Sequence, residues 1–183
     1  KDFRKKNKET PLILMGYANP IEAIGVENFI SLIKEAQIDG VITVDYPPEE
    51  SKEFVKRLKK EKIDSIFLLS PTTEDERIKL IAKQASGFLY YVSLKGVTGA
   101  ANIDINQVSE NVKNIQKYSD LPIAVGFGVR DPKTAKAVSK ISDGVVIGSR
   151  IVKEIEESNE IEIIPNVKKL MHSMKAAMDS SSA

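Results

Sequence analysis

The chain has no cysteine, no tryptophan, a single histidine and a formal net charge of only +1 over 183 residues. Without cysteine there is neither a disulfide framework nor thiolate chemistry, and one histidine cannot build a multi-histidine metal centre. The 27 basic and 26 acidic side chains leave no electrostatic bias toward nucleic acid or a membrane surface. No window reaches the roughly 18 apolar residues of a membrane span. The opening "KDFRKKNKETP" is basic but is followed by no apolar signal core. These absences predict a globular, cytoplasmic protein with no metal site and no nucleic-acid or membrane partner. The first residue is not Met, and the opening reads as the end of a helix whose beginning is missing.

What the sequence does have is short apolar runs at regular spacing. They are "LILMGY" (12 to 17), "GVITVD" (40 to 45), "DSIFLLS" (64 to 70), "GFLYYVS" (87 to 93), "LPIAVGF" (121 to 127) and "DGVVIGS" (143 to 149). None alternates apolar with polar residues, the pattern of parallel strands covered on both faces. Between them lie amphipathic helices. Val26, Phe29, Ile30 and Ile33 mark one helix face, and Phe54 and Leu58 mark another. "PTTEDERIKLIAKQ" predicts Thr72 or Thr73 as N-cap; "DINQVSENVKNIQKYS" repeats the device, and "DPKTAKAVSK" has Asp131 as N-cap and Pro132 in the first turn. A last amphipathic helix, "NVKKLMHSMKAAMD", carries the lone His172 at a surface or packing position.

Six repeats of strand then helix leave a doubly wound sheet or a (β/α)8 TIM barrel. No G-x-G-x-x-G follows the first strand, which argues against a dinucleotide sheet. A complete barrel needs about 250 residues. The prediction is therefore an α/β protein of (β/α)8 TIM-barrel class, a single domain over 1–183 with six βα units, strands 3 to 8 of a truncated barrel.

Barrels that bind phosphorylated substrates commonly place the phosphate on the loops after strands 7 and 8. In that count the loops are "GFGVRDP" and "VIGSRIV", which predicts backbone N–H groups of Gly128, Gly148 and Ser149 as the phosphate cradle. A third loop, "SLKGVTGAANID", exceeds the usual length of about 2 to 6 residues and reads as a lid, with Thr98 its polar side chain. Tyr90 and Phe127 are aromatics at strand ends, for which a core role is the ordinary one.

Taken in order, "MGYANP", "VDYPPEES", "SLKGVTGA", "VGFGVRDP" and "VIGSRIV" resemble the alpha subunits of tryptophan synthase. The resemblance implies a (β/α)8 barrel and a lyase of tryptophan biosynthesis. The reaction it implies is retro-aldol cleavage of indole-3-glycerol phosphate to indole and glyceraldehyde 3-phosphate. It further implies that Gly99, Gly128, Gly148 and Ser149 bind the phosphate, that Tyr90 and Phe127 flank the indole, and that Thr98 sits on the closing loop. Asn19 and Pro47 would face a beta subunit in an α2β2 heterotetramer. That partner would carry pyridoxal phosphate, leaving no cofactor on this chain.

Two departures stand out. Leu94-Lys95 replace a common Arg-Ser pair, and the family's catalytic Glu and Asp belong to a segment not found here, so the resemblance implies that the chain as given is inactive. Glu49 and Glu50 fall at the start of a helix, where capping is the ordinary role, and Asp45 is the acidic group nearest the site. Two rival readings remain open from the residues alone. One is another phosphate-binding β/α-barrel isomerase of amino-acid biosynthesis; the other is a catalytically inert partial barrel acting as a binding partner.

Overall fold

A computed structural model describes residues 1–93, 104–126 and 128–180. The elements, in chain order, are α1 Asp2–Lys6, β1 Ile13–Gly16, α2 Ala18–Ile24, α3 Val26–Glu35, β2 Gly40–Thr43, α4 Lys52–Lys60, β3 Asp64–Leu69, α5 Asp75–Gln84, β4 Leu89–Val92, α6 Ile105–Gln116, β5 Ile123–Gly126, α7 Pro132–Ser139, β6 Gly144–Val146, α8 Ser149–Glu156 and α9 Ile163–Asp179. All six expected strands form, each followed by a helix, which is the repeat of a (β/α)8 barrel. The chain divides into two compact units, Lys1–Leu68 with Glu74–Leu89, and Leu69–Thr73 with Tyr90–Ala183.

In the first unit β1, β2 and β3 are parallel neighbours, with Gly16 opposite Thr43 and Ile42 opposite Ile66. The helical spacing sets the core: Ile30 and Ile33 of α3 and Phe54 and Leu58 of α4 are buried with Ile21, Val41 and Ile63. Each side chain of that size contributes about 1.5–3 kcal/mol when fully buried. At the entry to β1, Arg4 is 6% exposed and donates to Thr10 O at 2.8 Å, to Gln37 O at 2.9 Å and to the Asp39 carboxylate. Asp39 also accepts from the Leu12 N–H at 2.6 Å, so the turn before β1 and the turn before β2 are fixed together.

In the second unit β5 and β6 pair in parallel, Gly126 opposite Val146. β4 joins β5 where the N–H and hydroxyl of Ser93 both donate to Gly126 O, at 3.1 and 2.8 Å. Val108, Val112 and Ile115 of α6, Ile123 and Val125 of β5, Ala135 and Val138 of α7 and Met174 of α9 form its buried interior.

The capping expectations divide. Asp104 accepts from the N–H groups of Asn106 and Gln107 at the head of α6. Asp131 accepts from the Thr134 N–H at 2.7 Å, with Pro132 opening α7. Neither Thr72 nor Thr73 caps α5, whose N-cap is Glu74 without a side-chain bond. The Thr73 hydroxyl instead accepts from the Ser70 N–H at 2.9 Å, inside a turn that uses it up. Glu49 and Glu50 also miss the expected helix start, because they lie in a turn on Pro47 O and α4 begins at Lys52 behind Ser51. The expectation that every strand is covered on both faces fails at β1. Leu14 and Met15, consecutive and so on opposite faces, are 40% and 54% exposed, so among the described residues neither face of β1, at the end of the strand order, is fully covered.

The Thr134 N–H bond to Asp131 is the largest cause holding its carboxyl below the usual range, with burial opposing it. A lowered native pKa stabilises above the unfolded value, about 3.9, and that contribution is lost as pH falls through the native value. Asp131→Ala should therefore cost about 1 kcal/mol at pH 7, and chemical unfolding at successively lower pH should show the gap between variant and parent narrowing below the ordinary carboxylate range.

Candidate functional site

Two groups of residues merit attention, one in each unit. In the second unit, Tyr90 and Tyr91 of β4 are 5% and 1% exposed. Consecutive strand residues point to opposite faces. The Tyr91 hydroxyl accepts from Asn111 Nδ2 of α6 at 2.8 Å, so Tyr91 lies on the helix side and Tyr90 on the other. There Tyr90 lies over Gly126 so closely that a Cβ built on Gly126 would stand 2.5 Å from Tyr90 Cε2. Burial raises both phenols above their ordinary pKa, and for Tyr91 the Asn111 hydrogen bond opposes that shift.

The paired residues Gly126 and Val146 bring the ends of β5 and β6 level. Two residues beyond each lies a glycine from the expected cradle. Gly128 has φ +78°, in the left-handed region that strongly favours glycine, and α7 follows behind the Asp131 cap. Gly148 is the N-cap of α8, with φ −119° and no side chain to cap the helix, and Ser149 opens its first turn. Both Gly148 and Ser149 are exposed. Two backbone turns, each leading into a helix of eight residues, thus leave adjacent strand ends at the same level. N–H groups at helix starts, with the positive end of the helix dipole, suit an anion. Thr98 and Gly99, Leu94-Lys95 and Phe127 lie outside the described residues.

In the first unit, Asn19 lies exposed on α2 and Pro47 in the loop after β2. That short α2 was not foreseen from the sequence. Its N-cap, Tyr17, makes no capping bond, and Asp45 supplies the acceptor instead, taking the Ala18 N–H at 2.7 Å. Asp45 is therefore engaged on a backbone N–H, and Glu49 accepts from Arg77 Nη1 at 3.0 Å. The Tyr46 hydroxyl donates to Glu22 Oε1 at 3.0 Å. Burial first, then that hydrogen bond and the charges of Glu22 and Glu50, raise the Tyr46 pKa. His172 is exposed, its Nδ1 2.9 Å from Lys168 O in the preceding turn of α9. Among the described residues no group of three His, Asp or Glu side chains is placed to hold a metal ion, and no helix is long and apolar enough to cross a membrane.

The family model of the tryptophan synthase alpha chain matches residues 1–180. The chain belongs to the tryptophan synthase alpha chain family. It is 56% identical over 178 residues to the tryptophan synthase alpha chain of Janthinobacterium sp. (strain Marseille), covering 97% of this chain and 67% of that one. It is 51% identical over 181 residues to that of Nitrosomonas europaea, covering 99% and 66%. Among solved structures, subunit alpha from Legionella pneumophila str. Paris superposes with a TM-score of 0.87 at 38% identity, covering 98% and 66%. A chain of a tryptophan synthase complex from Pyrococcus furiosus gives 0.82 at 33% identity, covering 96% of this chain and 69% of that one. The chain spans about two thirds of the length of the alpha chains it matches. The expected likeness and the expected barrel class are both borne out.

Proposed function

We propose that this chain supplies the substrate-binding side of the alpha reaction, retro-aldol cleavage of indole-3-glycerol phosphate to indole and glyceraldehyde 3-phosphate. The observation that carries the reading is the pair of level backbone turns, Gly128 with its positive φ and Gly148–Ser149 at the start of α8. In this reading they hold the phosphate, Gly99 joins them, and Tyr90 and Phe127 flank the indole. Thr98 lies on the loop that closes over the substrate. The chain needs no cofactor. Its partner is a beta subunit that carries pyridoxal phosphate and docks against Asn19 and Pro47 in an α2β2 assembly.

Cleavage breaks the bond between indole C3 and the glycerol carbon. C3 gains a proton, and the neighbouring hydroxyl loses one as the aldehyde forms. An acid and a base are required, each worth about 10²- to 10⁴-fold. The acidic groups nearest in the sequence motifs are otherwise engaged, Asp45 on Ala18 and Glu49 on Arg77. The 183 residues by themselves should accordingly yield no measurable indole from indole-3-glycerol phosphate. Adding the family's N-terminal βα units, fused or as a separate fragment, should restore turnover, which Thr98→Val should then lower by impairing closure. Turnover by the chain alone that disappears in Asp45→Asn would overturn the reading and make Asp45 the acid.

A further inference from the structure

We infer that Asp45 and Tyr46 clamp α2 to the loop that follows β2, so that Asn19 and Pro47 are presented to a protein partner as one preformed surface. The inference deepens the partner reading above and names two positioning residues for it.

Helix α2 has seven residues and is too short to persist alone. It lacks a cap of its own, and its C-cap is Gly25 at φ +86°. Four attachments are seen among the described residues. Ile21 is buried in the core of the first unit, the Asp45 carboxylate takes the Ala18 N–H at one end, the Tyr46 hydroxyl reaches Glu22 one turn further on, and Asn28 Nδ2 of α3 donates to Ile24 O at the other end at 3.2 Å. Two of the four come from consecutive residues of a single loop, 27 and 24 positions away in sequence. Both are hydrogen bonds to a carboxylate at exposed positions, and they act on the same short helix at two points.

The loop depends on the same contacts. The Tyr46 ring stacks on Phe54 of α4, centroids 5.9 Å apart. Beyond Tyr46 the loop overhangs a cleft of about 220 Å³ lined by Pro47, Pro48, Phe67, Leu68, Arg77 and Ile81. The loop is anchored behind by buried Pro48 and Ser51 and by the Val44 N–H on Gly16 O at 2.9 Å, whereas the Arg77–Glu49 pair across the cleft is exposed, a kind of contact worth about 0–1 kcal/mol. The Tyr46 and Asp45 bonds are the side-chain links between the loop and α2, and they tie both segments at once. A partner that touches Asn19 and Pro47 meets two groups already locked to each other, which reduces the ordering cost of binding.

Hydrogen exchange of the 183-residue chain, measured segment by segment, tests the clamp. Asp45→Ala should speed exchange of the α2 amides at least tenfold and Tyr46→Phe at least threefold, with α3 and β2 unchanged. Glu22→Gln, which keeps an acceptor for Tyr46, should stay within twofold. Titration with a purified tryptophan synthase beta chain adds a readout that loss of structure alone would not give. Asn19→Ala should weaken binding in the parent but much less in the Asp45→Ala background, where Asn19 is no longer held in place. Unchanged α2 exchange in both variants overturns the inference, as does acceleration spread evenly over the whole first unit, or Asn19→Ala effects that simply add to those of Asp45→Ala. If α2 loosens as described but the parent chain ignores the beta chain, the coupling stands and the partner reading falls.

Discussion

Gly126→Ala is expected to lower the stability of the second unit by about 1–3 kcal/mol, the usual cost of forcing an extra carbon into a filled space. The reason is local and steric. Gly126 ends β5 with ordinary strand neighbours, Val146 on one side and Ser93 on the other, and its backbone conformation is open to any residue. What forbids a side chain is Tyr90, whose ring covers the position where a Cβ would go. Tyr90 is itself 5% exposed, so the clash falls on a packed ring. Chemical unfolding followed by tyrosine signal would measure the loss. The decisive control is a double-mutant cycle: in a Tyr90→Ala background the ring is gone and Gly126→Ala should cost far less. Equal costs in the two backgrounds would mean that Gly126 matters for some reason other than Tyr90.

That contact also marks where sequence reading stops. The six strands were legible because short apolar runs bounded by Gly, Asp and Ser, alternating with 3.6-period segments, fit the buried strands of a βα repeat. The Asp104 and Asp131 caps were legible because a side chain two or three residues ahead of its N–H partner is a local affair. The α5 cap was misread because Thr73 had a nearer use in the Ser70 turn, and two local rules competed for one hydroxyl. Helix α2 was invisible for a different reason. Its cap comes from Asp45, and no window of sequence around "YANPIEAI" contains it. The glycines of "GFG" and "IGS" announced close backbone work without saying which glycine does what. Gly126 makes room for a ring, Gly128 takes a left-handed turn, and Gly148 sits at a helix start with none of the described residues within 4 Å of its Cβ position. Only the three-dimensional neighbours separate these roles.

The separation makes the phosphate proposal testable with two substitutions that should behave alike in binding and differently in folding. Gly128→Val places a β-branched side chain at φ +78°, a conformation costing of order 1–3 kcal/mol for residues other than glycine. Gly148→Val meets no left-handed penalty, since its φ of −119° is negative, and none of the described residues comes within 4 Å of its Cβ position. Thermal or chemical unfolding should therefore register Gly128→Val and barely register Gly148→Val. Binding of glycerol phosphate should fall at least tenfold in both, a loss of about 1.4 kcal/mol or more. A side chain at either turn would stand between the anion and the N–H groups offered to it, whereas binding of a phosphate-free indole ligand should change little. Gly148→Val carries the sharper test, because a loss of phosphate affinity there cannot be charged to a damaged fold. If Gly148→Val binds glycerol phosphate like the parent, or if the two variants lose phosphate-bearing and phosphate-free ligands equally, the anion sits elsewhere and the level turns at the ends of β5 and β6 are ordinary connections.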